Sequence, residues 1–131
     1  MGSWAALPLR LGLGIIFIAH GLQKSFGAFG GSSPKQFAEF LKTLNLPLPG
    51  ISAYLVSYGE LAAGILILIG LGTRVSCVFL FILMLVATYK VHLAKGFFNM
   101  SGGFEYNFLI LLSLLSLFFL GSGKLGLNKT F

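Results

Sequence analysis

Ser57-Tyr-Gly-Glu-Leu-Ala-Ala-Gly-Ile-Leu-Ile-Leu-Ile-Gly-Leu-Gly-Thr-Arg74 decides the fold. It is a hydrophobic span with one carboxylate, Glu60, inside it. The run Leu61 to Thr73 carries no charge, and Arg74 closes it. A helix of a soluble protein keeps a polar face, whereas this segment is apolar all round. A bilayer is the environment that suits it. There an ionisable side chain at a helix centre costs about 2.5–3.5 kcal/mol on insertion scales, so it turns toward a partner or a cavity.

Working outward, the chain repeats the theme. It is 131 residues long, a length for one domain, and 56% hydrophobic with only 9% charged residues. Its mean hydropathy is +0.95. The expected fold class is all-α: an integral membrane four-helix bundle with spans at about 8–26, 51–71, 74–95 and 104–120. The first span opens with Pro8, which suits a first helical turn. Trp4 precedes it as an interfacial anchor, and Arg10 is near enough to the end to snorkel to headgroups. Gly12, Gly14 and Gly21 permit close helix approach.

Between spans one and two, Ser33-Pro34-Lys35-Gln36 reads as a capping box with proline at the first helical position. Phe37, Phe40, Leu41 and Leu44 follow at helical spacing. A short amphipathic helix over about 34–44 is expected, too short to span and suited to the membrane surface. Asn45 to Gly50 ends it, Gly70, Gly72 and Thr73 make a tight turn, and a polar tail from Ser122 to Phe131 closes the chain.

The net charge of +6 does not mark a nucleic-acid binder, because the nine basic residues are scattered singly and form no patch. Cys77 is the single cysteine, which excludes an intramolecular disulfide or a CxxC redox pair; it reads as a small packing residue. No charged region precedes Arg10 and no small-residue cleavage site follows, so the first span reads as retained. Gly121-Ser122-Gly123-Lys124 lacks the spacing of a phosphate-binding loop and follows a span rather than a strand.

Up-and-down connectivity gathers polar groups on one side. His20, Gln23 and Lys24 end span one. Tyr54, Ser57, Tyr58 and Glu60 begin span two. Thr88, Tyr89, Lys90 and His92 end span three, and Glu105, Tyr106 and Asn107 begin span four. The opposite side carries Arg10, Arg74 and Lys124. Glu60 is the deepest of the set, and its expected partners are His20, Lys24 or Arg10. The positive-inside count is four against five and does not settle orientation. Cytoplasmic termini, the placement favoured here, would put the Glu60 level outside.

Taken together, the arginine of LPLRLGLGIIFIAHGLQK (residues 7–24), the stretch from Glu60 to Arg74, the late His92 and the closing GSGKLGLNK resemble the DoxX/DoxD family of small four-span membrane proteins. The tail differs from the family's common Gly-Pro-Gly and Ser-Leu-Asp endings, reading Gly121-Ser122-Gly123 and Gly126-Leu127-Asn128. The resemblance implies a multi-pass protein of a bacterial or archaeal cytoplasmic (inner) membrane. It also implies a link to quinone-dependent oxidation, as in the large subunit of thiosulfate:quinone oxidoreductase, or to redox-stress complexes.

Two functions fit. In the first, the chain is the membrane subunit of a quinone-linked oxidoreductase. Glu60 and His20 act as the catalytic pair that binds or protonates the quinone, and Tyr89, His92 and Glu105 complete the binding set and relay protons to water. Electrons then come from another membrane or peripheral redox subunit, since the chain has no flavin or iron–sulfur motif. In the second, the chain is a non-catalytic accessory or assembly subunit of a larger membrane complex. A homo-oligomer is compatible with either. Haem between His20 and His92 is disfavoured because the expected depths of the two histidines differ by several residues. A His/Glu metal site from the same residues is possible by ligand type but is not the favoured reading.

Overall fold

The computed structural model describes residues 4–127. Asn128 and Lys129, and the end of the polar tail with them, lie outside the described residues. Among the described residues there is no strand. Five helices form the structure: α1 (Ala6–Phe26), α2 (Pro34–Thr43), α3 (Pro49–Ile69), α4 (Thr73–Ala87) and α5 (Glu105–Leu120). A π turn (Thr88–His92) and a 3-10 turn (Leu93–Lys95) prolong α4. Among the described residues, three helical segments are long and apolar enough to cross a membrane: Ala6–Phe26, Pro49–Ile69 and Thr73–Lys95. The fourth, α5, is apolar but has 16 residues, about 24 Å at a rise of ~1.5 Å per residue, a little short of a ~30 Å hydrocarbon layer.

Local chemistry sets the boundaries. Gly27 ends α1 in the left-handed region (φ 70°), its N–H returning to Leu22 O. The capping box at α2 is present: Gln36 N–H donates to Ser33 Oγ (3.2 Å), and Ser33 N–H donates to Gln36 Oε1 (3.1 Å). Pro49 begins α3 two residues before the expected Ile51, and Gly70 (φ 75°) stops it.

The tightest packing in the bundle is an antiparallel seam between α1 and α3. A Cβ placed at Gly21 would lie 2.6 Å from the backbone N and Cα of Leu61. One at Gly64 would lie 2.8 Å from Ile18 N, and one at Gly14 would lie 3.0 Å from Leu68 Cβ. The pairs 14/68, 18/64 and 21/61 set a constant register, which brings the end of α1 opposite Val56. The first two turns of α3 therefore overshoot α1. The expected alignment of helix ends is offset by that amount, and α2 packs against the free flank of α3.

A core of Leu13, Phe17, Ile67, Cys77, Leu80, Ile110, Leu114 and Leu117 fills the bundle between the termini and the level of His20. Side chains such as Leu11, Ile15, Ile65, Val75, Ile82, Leu109 and Phe119 face outward. That outward apolar belt is what a multi-pass membrane protein requires.

Arg10 does not snorkel as expected. Arg10 is 3% exposed. Its guanidinium donates to Ile67 O (3.0 Å), Leu68 O (2.8 Å) and Ser122 O (3.0 Å). Arg74 donates to Phe118 O (2.9 Å). Both arginines thus satisfy carbonyls that end a helix, where a positive charge also meets the negative end of the helix dipole. The Thr73 and Ser122 hydroxyls meet at 2.8 Å beneath them.

Candidate functional site

Glu60 sits midway along α3, 11 residues beyond Pro49, or about 16 Å at a rise of ~1.5 Å per residue. It is 7% exposed. Of its expected partners, Lys24 meets it: the ammonium donates to Glu60 Oε1 at 2.8 Å. Arg10 is committed to the other end of the molecule. The Lys24 ammonium also lies 5.4 Å from the centre of the Phe37 ring, so it touches the surface helix α2 as well. Glu60 Oε2 is buried and has no hydrogen-bond partner. A carboxylate oxygen in that position is costly to leave unpaired.

The ion pair borders a cavity of about 220 Å³ whose walls include His20 from α1, Met84 and Ala87 from α4, His92 from the π turn, and Tyr106 and Asn107 from α5. Asn107 donates to Thr88 Oγ1 (3.0 Å), which in turn donates to Met84 O (2.7 Å). This chain of bonds ties α5 to α4 at the cavity wall. His92 Nδ1 lies 2.8 Å from Gly102 O. A carbonyl only accepts, so Nδ1 carries the proton, and in the neutral ring Nε2 is left as an acceptor.

Three of the residues singled out from the sequence, His20, Glu60 and His92, thus line one chamber. Tyr89 and Glu105 do not. Tyr89 is 70% exposed and lies beneath the Lys90 ammonium. The wider π turn changes the angular spacing after Ala87, and Tyr89 faces outward while His92 meets the chamber. Glu105 is exposed and accepts from Asn99 N (3.0 Å), bracing the loop before α5. Tyr106 and Asn107 take its place in the wall. Their position one and two residues further into α5 was visible in the sequence, and their rotation toward the bundle was not. Among the described residues, no three His, Cys, Asp or Glu side chains are grouped to hold a metal ion.

Comparison with known proteins adds two findings. The family model for DoxX matches residues 5–93, a stretch that includes His20, Lys24, Glu60 and His92. A protein of Bacillus subtilis (strain 168) named "Putative oxidoreductase CatD" is 34% identical over 122 residues, covering 93% of this chain and 83% of that relative. No solved structure matches the chain.

Proposed function

Because the chain belongs to the DoxX family, we propose that it is the membrane subunit of an oxidoreductase of a bacterial or archaeal cytoplasmic membrane, and that its substrate is a quinone bound at Glu60. The observation that supports this reading is the unpartnered, buried Glu60 Oε2 beside His20 at a chamber that His92, Tyr106 and Asn107 also line. The name of the Bacillus subtilis relative agrees with a redox role.

The chemistry follows from the ion pair. Lys24 neutralises Glu60 through Oε1, which leaves Oε2 an ionised acceptor. Such an oxygen pairs with the hydroxyl of a quinol. Once protonated, the same oxygen donates to a quinone carbonyl. Interconversion of the two forms moves two protons and two electrons. Glu60 takes or gives a proton at the ring oxygen, and His20 and His92 stand in the same chamber as further exchange groups. The electrons pass to or from a second membrane or peripheral redox subunit, for which this chain supplies the lipid-soluble partner's site.

The test is mass spectrometry of an acidified organic extract of the purified protein beside a Glu60→Gln variant. The expected result is a quinone near one per chain in the wild type and its loss in the folded variant. A folded wild type that retains and binds no quinone overturns the reading in favour of an accessory subunit.

A further inference from the structure

Beyond the ion pair lies a second cavity, of about 450 Å³, with a different character. The surface helix α2 contributes Phe37 and Leu41 to its wall, with Leu44 just past its end, α3 contributes Val56, and α4 contributes Leu83 and Val86. It shares Lys24, Glu60, Leu83, Ala87 and His92 with the polar chamber. The two spaces therefore meet at the carboxylate whose Oε2 has no partner. One side of Glu60 carries His20, Tyr106 and Asn107, and the other is a larger, mostly apolar groove roofed by an amphipathic helix.

Volume separates the uses of the two spaces. Ligand sites run from roughly 300 to 1,000 Å³ and are mostly apolar with a few placed polar groups. At about 220 Å³ the polar chamber is too small for a whole ligand of that class, while the groove at about 450 Å³ lies within the range. A ligand that reaches Oε2 therefore extends under α2. The roof itself is lightly anchored, since Pro34 and Leu41 are its buried residues and the remainder of α2 is half-buried or exposed.

Resting on the quinone reading above, we infer that the substrate is a prenylated quinone, with its ring at Glu60 and its isoprenoid tail in the groove between α2, α3 and α4. On this view α2 is the cover of the tail site. Lys24, which touches both Glu60 and Phe37, marks the boundary between ring and tail.

The test uses the full chain in nanodiscs of quinone-free lipid, with two probes: a tailless benzoquinone, and the same ring carrying a short prenyl tail. Val56→Phe and Leu44→Trp narrow the groove from opposite walls, and neither residue lines the polar chamber. Melting curves confirm that each variant folds. The expected result is a fall of about tenfold or more in affinity for the prenylated probe in both variants, with the tailless probe unchanged within about twofold. Equal effects on the two probes, or no effect on either, overturn the tail site and leave the quinone reading standing. Failure of both probes to bind the folded wild type overturns that reading as well. Phospholipid retained by the wild type in native mass spectrometry, and not displaced by the prenylated probe, assigns the groove to lipid and also overturns the inference.

Discussion

At Glu60 the free energy turns on its pairing. The Lys24 ammonium at 2.8 Å offsets the cost of holding a carboxylate away from water, and the pair itself adds little beyond that. Removing one partner of a buried pair costs about 3–5 kcal/mol, because it strands the other charge. Lys24→Met should therefore destabilise the protein by about 3 kcal/mol, somewhat less than for a fully buried pair because Lys24 is one-quarter exposed. Adding Glu60→Gln should restore most of that loss. Thermal and denaturant unfolding of the single and double variants in detergent decides it: a double variant no more stable than Lys24→Met would show that the pair is not what holds Glu60. The sequence narrowed the partner to three cations or imidazoles within reach of Glu60. It did not reject Arg10, because nothing local reveals that a guanidinium near a span end is consumed by the carbonyls of a helix distant in sequence. The free Oε2 was equally invisible, since it depends on which groups four helices bring together.

The α1–α3 seam carries the element-scale energetics. Gly21 lies where a Cβ would come within 2.6 Å of Leu61 backbone, and a helix backbone does not yield as a flexible side chain does. Gly12, on the exposed face of the same helix, has nothing within 4 Å of such an atom. Gly21→Val should cost about 2 kcal/mol or more through forced separation of the helices. Gly12→Ala should be neutral or stabilising by up to about 1 kcal/mol, from the better helix propensity of alanine. Melting temperatures of the two variants check the contrast, and equal losses would mean that the seam is not the tight contact described. Signals local in sequence were legible at this scale. Ser33 and Gln36 announced the start of α2 because a capping box is complete within four residues. The π turn at Thr88–His92 was not legible, because the apolar run of α4 leads into it without a break in pattern. Its consequence is that Tyr89 faces outward while His92 lines the chamber.

One end of the molecule holds the buried core, the packed end, and the other holds the cavities at Glu60, the hollow end, although a smaller apolar cleft of about 160 Å³ also opens beside Cys77, Phe81, Leu114 and Phe118. The core of Leu13, Ile67, Leu80, Leu114 and Leu117 fills the half toward the termini, and both cavities at Glu60 lie in the other half. Apolar composition and span lengths made the bundle and its polar level legible. The division of labour between the ends was not, because it depends on the α1–α3 register and on the arginines. Arg10 joins α1 to the last carbonyls of α3 and to Ser122 in the tail with three bonds. A hydrogen bond to a charged group contributes about 1.5–3 kcal/mol. Arg10→Ala removes three such bonds, and although Ile67 O keeps the Gly70 N–H, a loss of about 3 kcal/mol or more is expected, with Arg10→Lys intermediate because an ammonium cannot reproduce the planar fork. Amide hydrogen exchange localises the damage. Protection should fall around Gly70, Leu71 and Gly121, where the carbonyls and turn are released, and hold near Asn107 and His92. On the proposed quinone reading, the chamber at Glu60 lies in the opposite half, so the folded Arg10→Ala protein should keep the quinone occupancy of the wild type while its melting temperature drops. A variant that loses quinone at a temperature where exchange shows it folded would instead demonstrate that the packed end controls the hollow one.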